Sequence, residues 1–168
     1  MKKILFVVIT FSLLVVSCSK KDATCARNDS NISASASEIA NLQTYLTSNN
    51  ITATQHPSGF FYKITQVGSG QAVVNLCSKI TIKYVGKLTN NTVFDQTTGA
   101  ATATFELGQL IVGWQKGIPL ISSGGKITLY IPPSLGYGSK DVKDPNTSAV
   151  IIPANSILIF DIELVSVS

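Results

Sequence analysis

Between Gly59 and Val167 the sequence is written in strand periods and breaks for a helix only once, over Ile111 to about Ile121. A lone short helix among strands has no second helix on which to bury its apolar residues, so the sheet must fold over it. The helix is also a weak one. Gly113 and Gly117 lower its propensity, and Pro119 removes a backbone donor, so it is expected to stop or kink there. The flanking strands are clear: Phe60, Tyr62 and Ile64 alternate with Phe61, Lys63 and Thr65 before a Gly68–Gly70 break. Ile80, Ile82, Tyr84 and Leu88 lead through a Thr89–Thr92 turn to Val93-Phe94-Asp95. A small-residue loop then opens Ala103–Leu107. Gly125–Ile131 is stopped by Pro132-Pro133. From Ile157 to Val167 both alternating sets are largely apolar, which predicts a central strand covered on both faces. Ser134–Ser156 has no period and reads as a long loop, functional or disordered. The expected class is α+β.

The N-terminal stretch has a different grammar. Lys2-Lys3 precede Ile4–Val16, apolar but for Thr10 and Ser12. At 1.5 Å per residue such a helix spans about 20 Å, short of a bilayer core of roughly 30 Å, so it reads as an export signal over residues 1–17. Val15-Val16-Ser17-Cys18 resembles a bacterial lipobox, which implies cleavage before Cys18 and lipidation of its thiol; the alternative is an ordinary export signal with a chance cysteine. Residues 18–35 are polar and small and read as a flexible tether. Ser35-Ala36-Ser37-Glu38 fits a capping box, and Ile39, Leu42, Tyr45 and Leu46 follow at helical spacing up to Asn49-Asn50. That places a short helix and connector over 36–58 and the main domain over 59–168. At about three turns the helix is expected to pack on the domain rather than form a dimerising stalk.

Composition removes most kinds of chemistry. One histidine and three scattered cysteines in 168 residues argue against zinc sites and Cys/His nucleophile pairs, and no cofactor is implied. Only 13% of residues are charged, and the net charge of +4 includes Lys2 and Lys3, so no nucleic-acid partner is expected. His56, beside Pro57, is expected in solvent. Asp141 and Asp144 match no calcium-loop spacing.

Taken in order, the runs ITIKYVGKLTNNTVFDQ, FELGQLIVGWQKGI, GGKITLYIPPSLGYG and IIPANSILIFDIELVSV resemble the FKBP-type peptidyl-prolyl cis–trans isomerases over about Gly59–Val167. The leading segment resembles lipoprotein members from Bacteroidetes-like bacteria. The resemblance implies a half-open antiparallel sheet wrapped around the helix that carries Trp114, with a pocket between them. It implies catalytic roles for Tyr84, Asp95, Tyr137 and Phe160, and substrate contacts from Phe94, Leu110, Ile111, Trp114 and Ile152. Trp114 is then the floor, and Phe94, Phe160 and Tyr84 are walls. The Ile111 amide and the Tyr137 hydroxyl are donors, and Phe105 stands beside the pocket.

Its chemistry suits a chain with no proton shuttle. The reaction turns an X-Pro amide over a barrier of roughly 18–20 kcal/mol, and the twisted amide has lost part of its dipole. Aromatic walls, a buried carboxylate and one hydroxyl would favour that state over the planar one. Asp95 either orients the Tyr84 hydroxyl or merely satisfies backbone donors at a strand end. Asp161 is expected as a structural partner for the chain near Tyr84. In the loop 97–104 the family's Arg and aromatic are absent, with Ala103 near the aromatic position, which thins one wall and bears on macrolide binding.

Outside the cytoplasm Cys25 and Cys77 are expected to pair once Cys18 is lipidated; the alternative is two free thiols, one of them buried. The expected partners are proline-containing polypeptides, a macrolide ligand, and a membrane reached through the lipid. The protein is expected as a monomer in the cell envelope, at the outer membrane facing the periplasm. The other reading is a non-catalytic chaperone or binding module that keeps the pocket.

Overall fold

The computed structural model describes residues 25–168; the expected signal over 1–17 and the lipidation site Cys18 lie outside the described residues. Helix α1 (Ala36–Ser48) begins at Ser35, whose hydroxyl accepts from the Glu38 N–H while the Glu38 carboxylate reaches back to the Ser35 N–H, a complete capping box. It is followed by β1 (Thr54–Gln55), β2 (Phe61–Gln66), β3 (Lys79–Leu88), β4 (Val93–Gln96) and β5 (Ala103–Glu106). Next come α2 (Val112–Gly117), β6 (Gly125–Ile131), β7 (Val142–Lys143), β8 (Val150–Ile152) and β9 (Leu158–Val167). The main sheet runs β1-β2-β6-β9-β3-β4, with β5 also on β3, and every pairing is antiparallel. As its two apolar sets predict, β9 is central, between β6 and β3.

Strand alternation sorts the core into two layers. Leu129, Ile131, Leu158, Phe160 and Ile162 join Trp114 and Ile118 on the side of α2. Their sequence neighbours Tyr130 and Ile159 turn the other way, where with Phe61 they meet Leu42 and Leu46 of α1. Helix α1 therefore covers the back of the sheet, and α2 stands in its fold.

The lone inner helix is shorter than its expected span. It is α-helical only over Val112–Gly117 and tightens to a 3₁₀ turn over Ile118–Leu120, where Pro119 stops the ladder. The glycines that weaken it have a packing reason. A Cβ on Gly113 would lie 2.7 Å from the Ile131 side chain, and one on Gly117 2.7 Å from Leu129, so only glycine lets α2 settle onto β6.

Two long stretches are more ordered than their composition suggests. Within 134–156, β7 and β8 pair as a two-stranded ribbon. The Asp144 side chain closes its turn by accepting from the Asn146 and Thr147 amides, and Asp141 accepts from the Ala154 amide. In the expected tether, residues from Cys25 onward lie on the domain. Cys25 is bonded to Cys77, Arg27 pairs with Glu106, and the Ala34 amide donates to the Ser58 carbonyl. His56 is half-buried rather than solvated. It stacks on Phe60 at 4.3 Å, and its Nδ1 accepts from the Ser58 amide. Burial, with Lys116 nearby, lowers its pKa from the ordinary value.

Candidate functional site

A cavity of about 220 Å³ opens between α2 and the sheet, lined by Tyr84, Asp95, Phe105, Gln109, Leu110, Ile111, Trp114, Tyr137 and Phe160. Its frame is a set of edge-to-face rings. Trp114, 4% exposed at the start of α2, meets Phe160 of β9 at 4.9 Å, Tyr84 of β3 at 5.3 Å and Phe105 of β5 at 6.4 Å. Such pairs fix one another's orientation beyond what burial alone achieves. The register supports the frame: Gly86, two residues after Tyr84, pairs with Phe160, and a Cβ there would come within 2.8 Å of both the Phe94 and Phe160 rings.

The polar groups lie at the mouth. The Tyr84 hydroxyl donates to Asp95 Oδ2 at 2.6 Å, a short bond typical of a charged acceptor. Burial, and then the hydrogen bond to and charge of Asp95, raise the Tyr84 phenol well above its ordinary value, so it keeps its proton. The Tyr137 hydroxyl is raised too, by burial and by the same carboxylate, although its ring is 45% exposed on the rim. Asp95 is exposed, contrary to the buried carboxylate expected. A carboxylate here at the mouth keeps its hydration, which avoids the cost of an unpaired charge in the aromatic interior.

One main-chain donor is set by a side chain that the sequence reading passed over. Gln115 Nε2 donates to the Leu110 carbonyl at 2.7 Å. In a planar trans peptide the carbonyl and the following N–H point opposite ways within the plane, so this bond aims the Ile111 N–H away from Gln115. At the floor, the buried indole N–H of Trp114 has no hydrogen-bond partner.

Seven of the expected residues therefore share one wall: Tyr84, Asp95, Leu110, Ile111, Trp114, Tyr137 and Phe160. Phe94 does not line it; it stands behind Phe160 at 5.5 Å, holding that ring from outside. Ile152 is also off the wall, 3% exposed in the main core beside β7. Phe105, expected beside the pocket, lines it directly, and Gln109 is an addition that no motif marked except its place next to Leu110. Asp161 turns away from the cavity: Thr128 donates to it at 2.8 Å and Lys87 pairs with it at 2.7 Å. A larger groove of about 520 Å³ lies behind α2, lined by Arg27, His56 and Lys116 among others. It is wide and charged, whereas the smaller cavity brings rings and polar groups together.

The family model for FKBP-type peptidyl-prolyl cis–trans isomerases matches residues 70–165. The chain belongs to this family. An FKBP-type relative, FkpA of Buchnera aphidicola subsp. Schizaphis graminum, is 44% identical over 111 residues, 66% of this chain and 41% of that protein. A peptidyl-prolyl cis–trans isomerase of Schizosaccharomyces pombe is 37% identical over 109 residues, 63% of this chain and 92% of that protein. The crystal structure of FkpA from Escherichia coli superposes with a TM-score of 0.65 at 31% identity, over 79% of this chain and 60% of that one. The chain spans 41% and 43% of the length of the two Buchnera FkpA proteins it matches. The matched stretch holds β3 to β6 and nearly all of β9, the whole FKBP frame around the cavity; α1 and the Cys25 end of the disulfide lie before it.

Proposed function

We propose that this chain accelerates the cis–trans rotation of X-Pro bonds in polypeptides. The observation that carries the reading is the Tyr84–Asp95 hydrogen bond at the mouth of a cavity floored by Trp114. A proline ring enters between Trp114, Phe160 and Phe105, where it loses apolar contact with water. The Ile111 amide and the Tyr137 hydroxyl hold the substrate's carbonyls on either side of the prolyl bond. As the amide twists it loses resonance and dipole, so low-polarity walls bind it better than the planar form. Asp95, kept in place by Tyr84, sets the field at the turning carbonyl. No proton moves, and the raised Tyr84 and Tyr137 phenols remain neutral donors throughout. Each tenfold acceleration requires about 1.4 kcal/mol of such differential binding.

The finer reading is a lipid-anchored, monomeric isomerase of the cell envelope acting on exported proteins. The lipobox-like run before Cys18 supports it, and one relative, 38% identical over 112 residues, is named outer membrane protein MIP, of Legionella longbeachae. Among the described residues no helix is long and apolar enough to cross a membrane. Palmitate labelling lost in Cys18→Ala is the expected sign of the anchor. A macrolide is the further ligand proposed for the cavity, with Trp114, the only tryptophan, as its fluorescent reporter.

Isomerisation of a proline tetrapeptide, read by a coupled protease, tests the activity. Acceleration by the purified chain, reduced at least roughly tenfold in Asp95→Val and in Phe160→Tyr, is expected. A chain with no acceleration would instead be a binding module, and unaffected variants would remove the site assignment.

A further inference from the structure

Helix α1 lies before the stretch that the family model matches, yet one of its side chains reaches the loop that carries Tyr137. Glu38 divides its two carboxylate oxygens. Oε2 accepts from the Ser35 N–H at 2.9 Å and from the Ser35 hydroxyl at 3.0 Å, which is its capping role. Oε1 accepts from the Ser134 N–H at 2.8 Å, across a sequence distance of 96 residues. Burial alone would raise the Glu38 pKa, but the hydrogen bonds from Ser35 and Ser134 outweigh it and hold the group below its ordinary value.

The peptide that Glu38 grips is the one that shapes the Tyr137 turn. The Ser134 N–H and the Pro133 carbonyl belong to a single planar unit. That carbonyl accepts from the Gly136 amide at 2.9 Å and from the Gly138 amide at 2.8 Å, the residues on either side of Tyr137. A carboxylate on the N–H side of a peptide fixes its plane and polarises its carbonyl, which strengthens both bonds on the far side. Tyr137 itself is 45% exposed on the rim.

We propose that Glu38 is a positioning residue for Tyr137, so that α1 acts on the isomerase site by orienting the Pro133–Ser134 peptide. The proposal rests on the isomerase reading for its consequence, though the hold on the loop can be measured without it. Loss of the bond lets the turn shift, and displacements of an ångström or less in a binding group are enough to change turnover.

The test compares four chains in the protease-coupled assay, each well below its own melting temperature: wild type, Glu38→Ala, Glu38→Gln and Ser35→Ala. Glu38→Ala is expected to lower kcat/KM roughly three- to tenfold, whereas Glu38→Gln, which keeps one oxygen for Ser134, recovers most of it. Ser35→Ala weakens the helix cap and removes the hydroxyl bond to Oε2, but it leaves the Ser35 N–H on Oε2 and the Ser134 N–H on Oε1, so it controls for simple destabilisation; it is expected to stay within about twofold of wild type. In a Tyr137→Phe background Glu38→Ala is expected to cost less than about twofold, because two residues acting through one contact do not add. Amide exchange at Gly136 and Gly138 is expected to quicken in Glu38→Ala and not in Ser35→Ala. Wild-type turnover in Glu38→Ala, an equal loss in the Tyr137→Phe background, or unchanged exchange overturns the proposal. If the wild type shows no isomerisation at all, the isomerase reading fails, and the exchange rates alone decide whether Glu38 holds the loop.

Discussion

The two faces of the sheet are covered by helices of very different reach. On the back, the thirteen residues of α1 insert Leu42 and Leu46, both essentially inaccessible to water, against Phe61, Tyr130 and Ile159. On the front, α2 has six residues, two of them glycines, and it approaches so closely that β6 side chains occupy the space where a Cβ would stand. A helix this short cannot roof the sheet, and the rings of Tyr84, Phe105, Trp114 and Phe160 are left around an open volume. One face is closed by its helix, and the other is left with an open volume. The difference arises from helix length and side-chain size, not from hydrophobicity, since both faces are apolar.

The sharpest way to break this comparison is to hollow the closed face. Leu46→Ala should cost about 2–5 kcal/mol of unfolding free energy, with kcat/KM unchanged at temperatures where the variant is folded. Denaturant titration beside the isomerisation assay separates the two readouts, and an activity loss as large as the stability loss would mean that α1 acts on the front through its packing and not only through the Glu38 bond to Ser134. Next in size is Gly113→Ala on the open face. Helix propensity alone argues for a gain, but the new methyl meets three atoms of the fully buried Ile131 at 2.7–2.9 Å, so a net loss of about 1–3 kcal/mol is expected.

A smaller effect is expected from Tyr84→Phe, which keeps the ring and removes the bond to Asp95. It should lower kcat/KM by a factor corresponding to roughly 1 kcal/mol while the melting temperature stays within a few degrees. A large melting shift instead would make Tyr84 structural, like its counterparts on the back.

The smallest contrast is in pH, where the faces have opposite signs. The Tyr84 phenol is raised above its ordinary value of 10.0 in the folded chain. Its contribution to stability is therefore complete below pH 10 and is lost as pH climbs through the folded value. Glu38 is lowered from 4.5, so its contribution is present above that pH and is lost as pH falls through the lower folded value. The melting difference between wild type and Tyr84→Phe should change only at alkaline pH, and that between wild type and Glu38→Gln only at acid pH, each staying constant between the two windows.

Much of this was legible in the sequence because it follows from period and punctuation. The double apolar alternation of 157–167 put β9 at the centre, Ser35 and Glu38 marked the start of α1, and Pro119 marked the end of α2. The rings of the cavity, Phe94 apart, came from the resemblance to the FKBP-type family that the motifs carry. What could not be read depends on chain segments distant in sequence. Nothing local tells that Gly113 and Gly117 are glycine because Ile131 and Leu129 lie above them. Phe94 and Ile152 are apolar residues near pocket motifs, and only packing decides that one backs Phe160 and the other enters the core. The unperiodic 134–156 stretch owes its order to side-chain turns at Asp141 and Asp144, which carry no hydrophobic signal. His56 looked polar and was found stacked on a core phenylalanine.

The Cys25–Cys77 bond also decides how the domain bears a mechanical load. The two sulfurs join positions 52 residues apart, and the loop they close contains α1, β1 and β2. Tension applied from the N-terminal side of Cys25 enters that bond and passes directly to the chain just before β3, the strand that pairs with β9, β4 and β5. The back-face helix then hangs in a slack loop beside the line of force, so a pull on the N-terminal end cannot peel α1 from the sheet while the bond is intact.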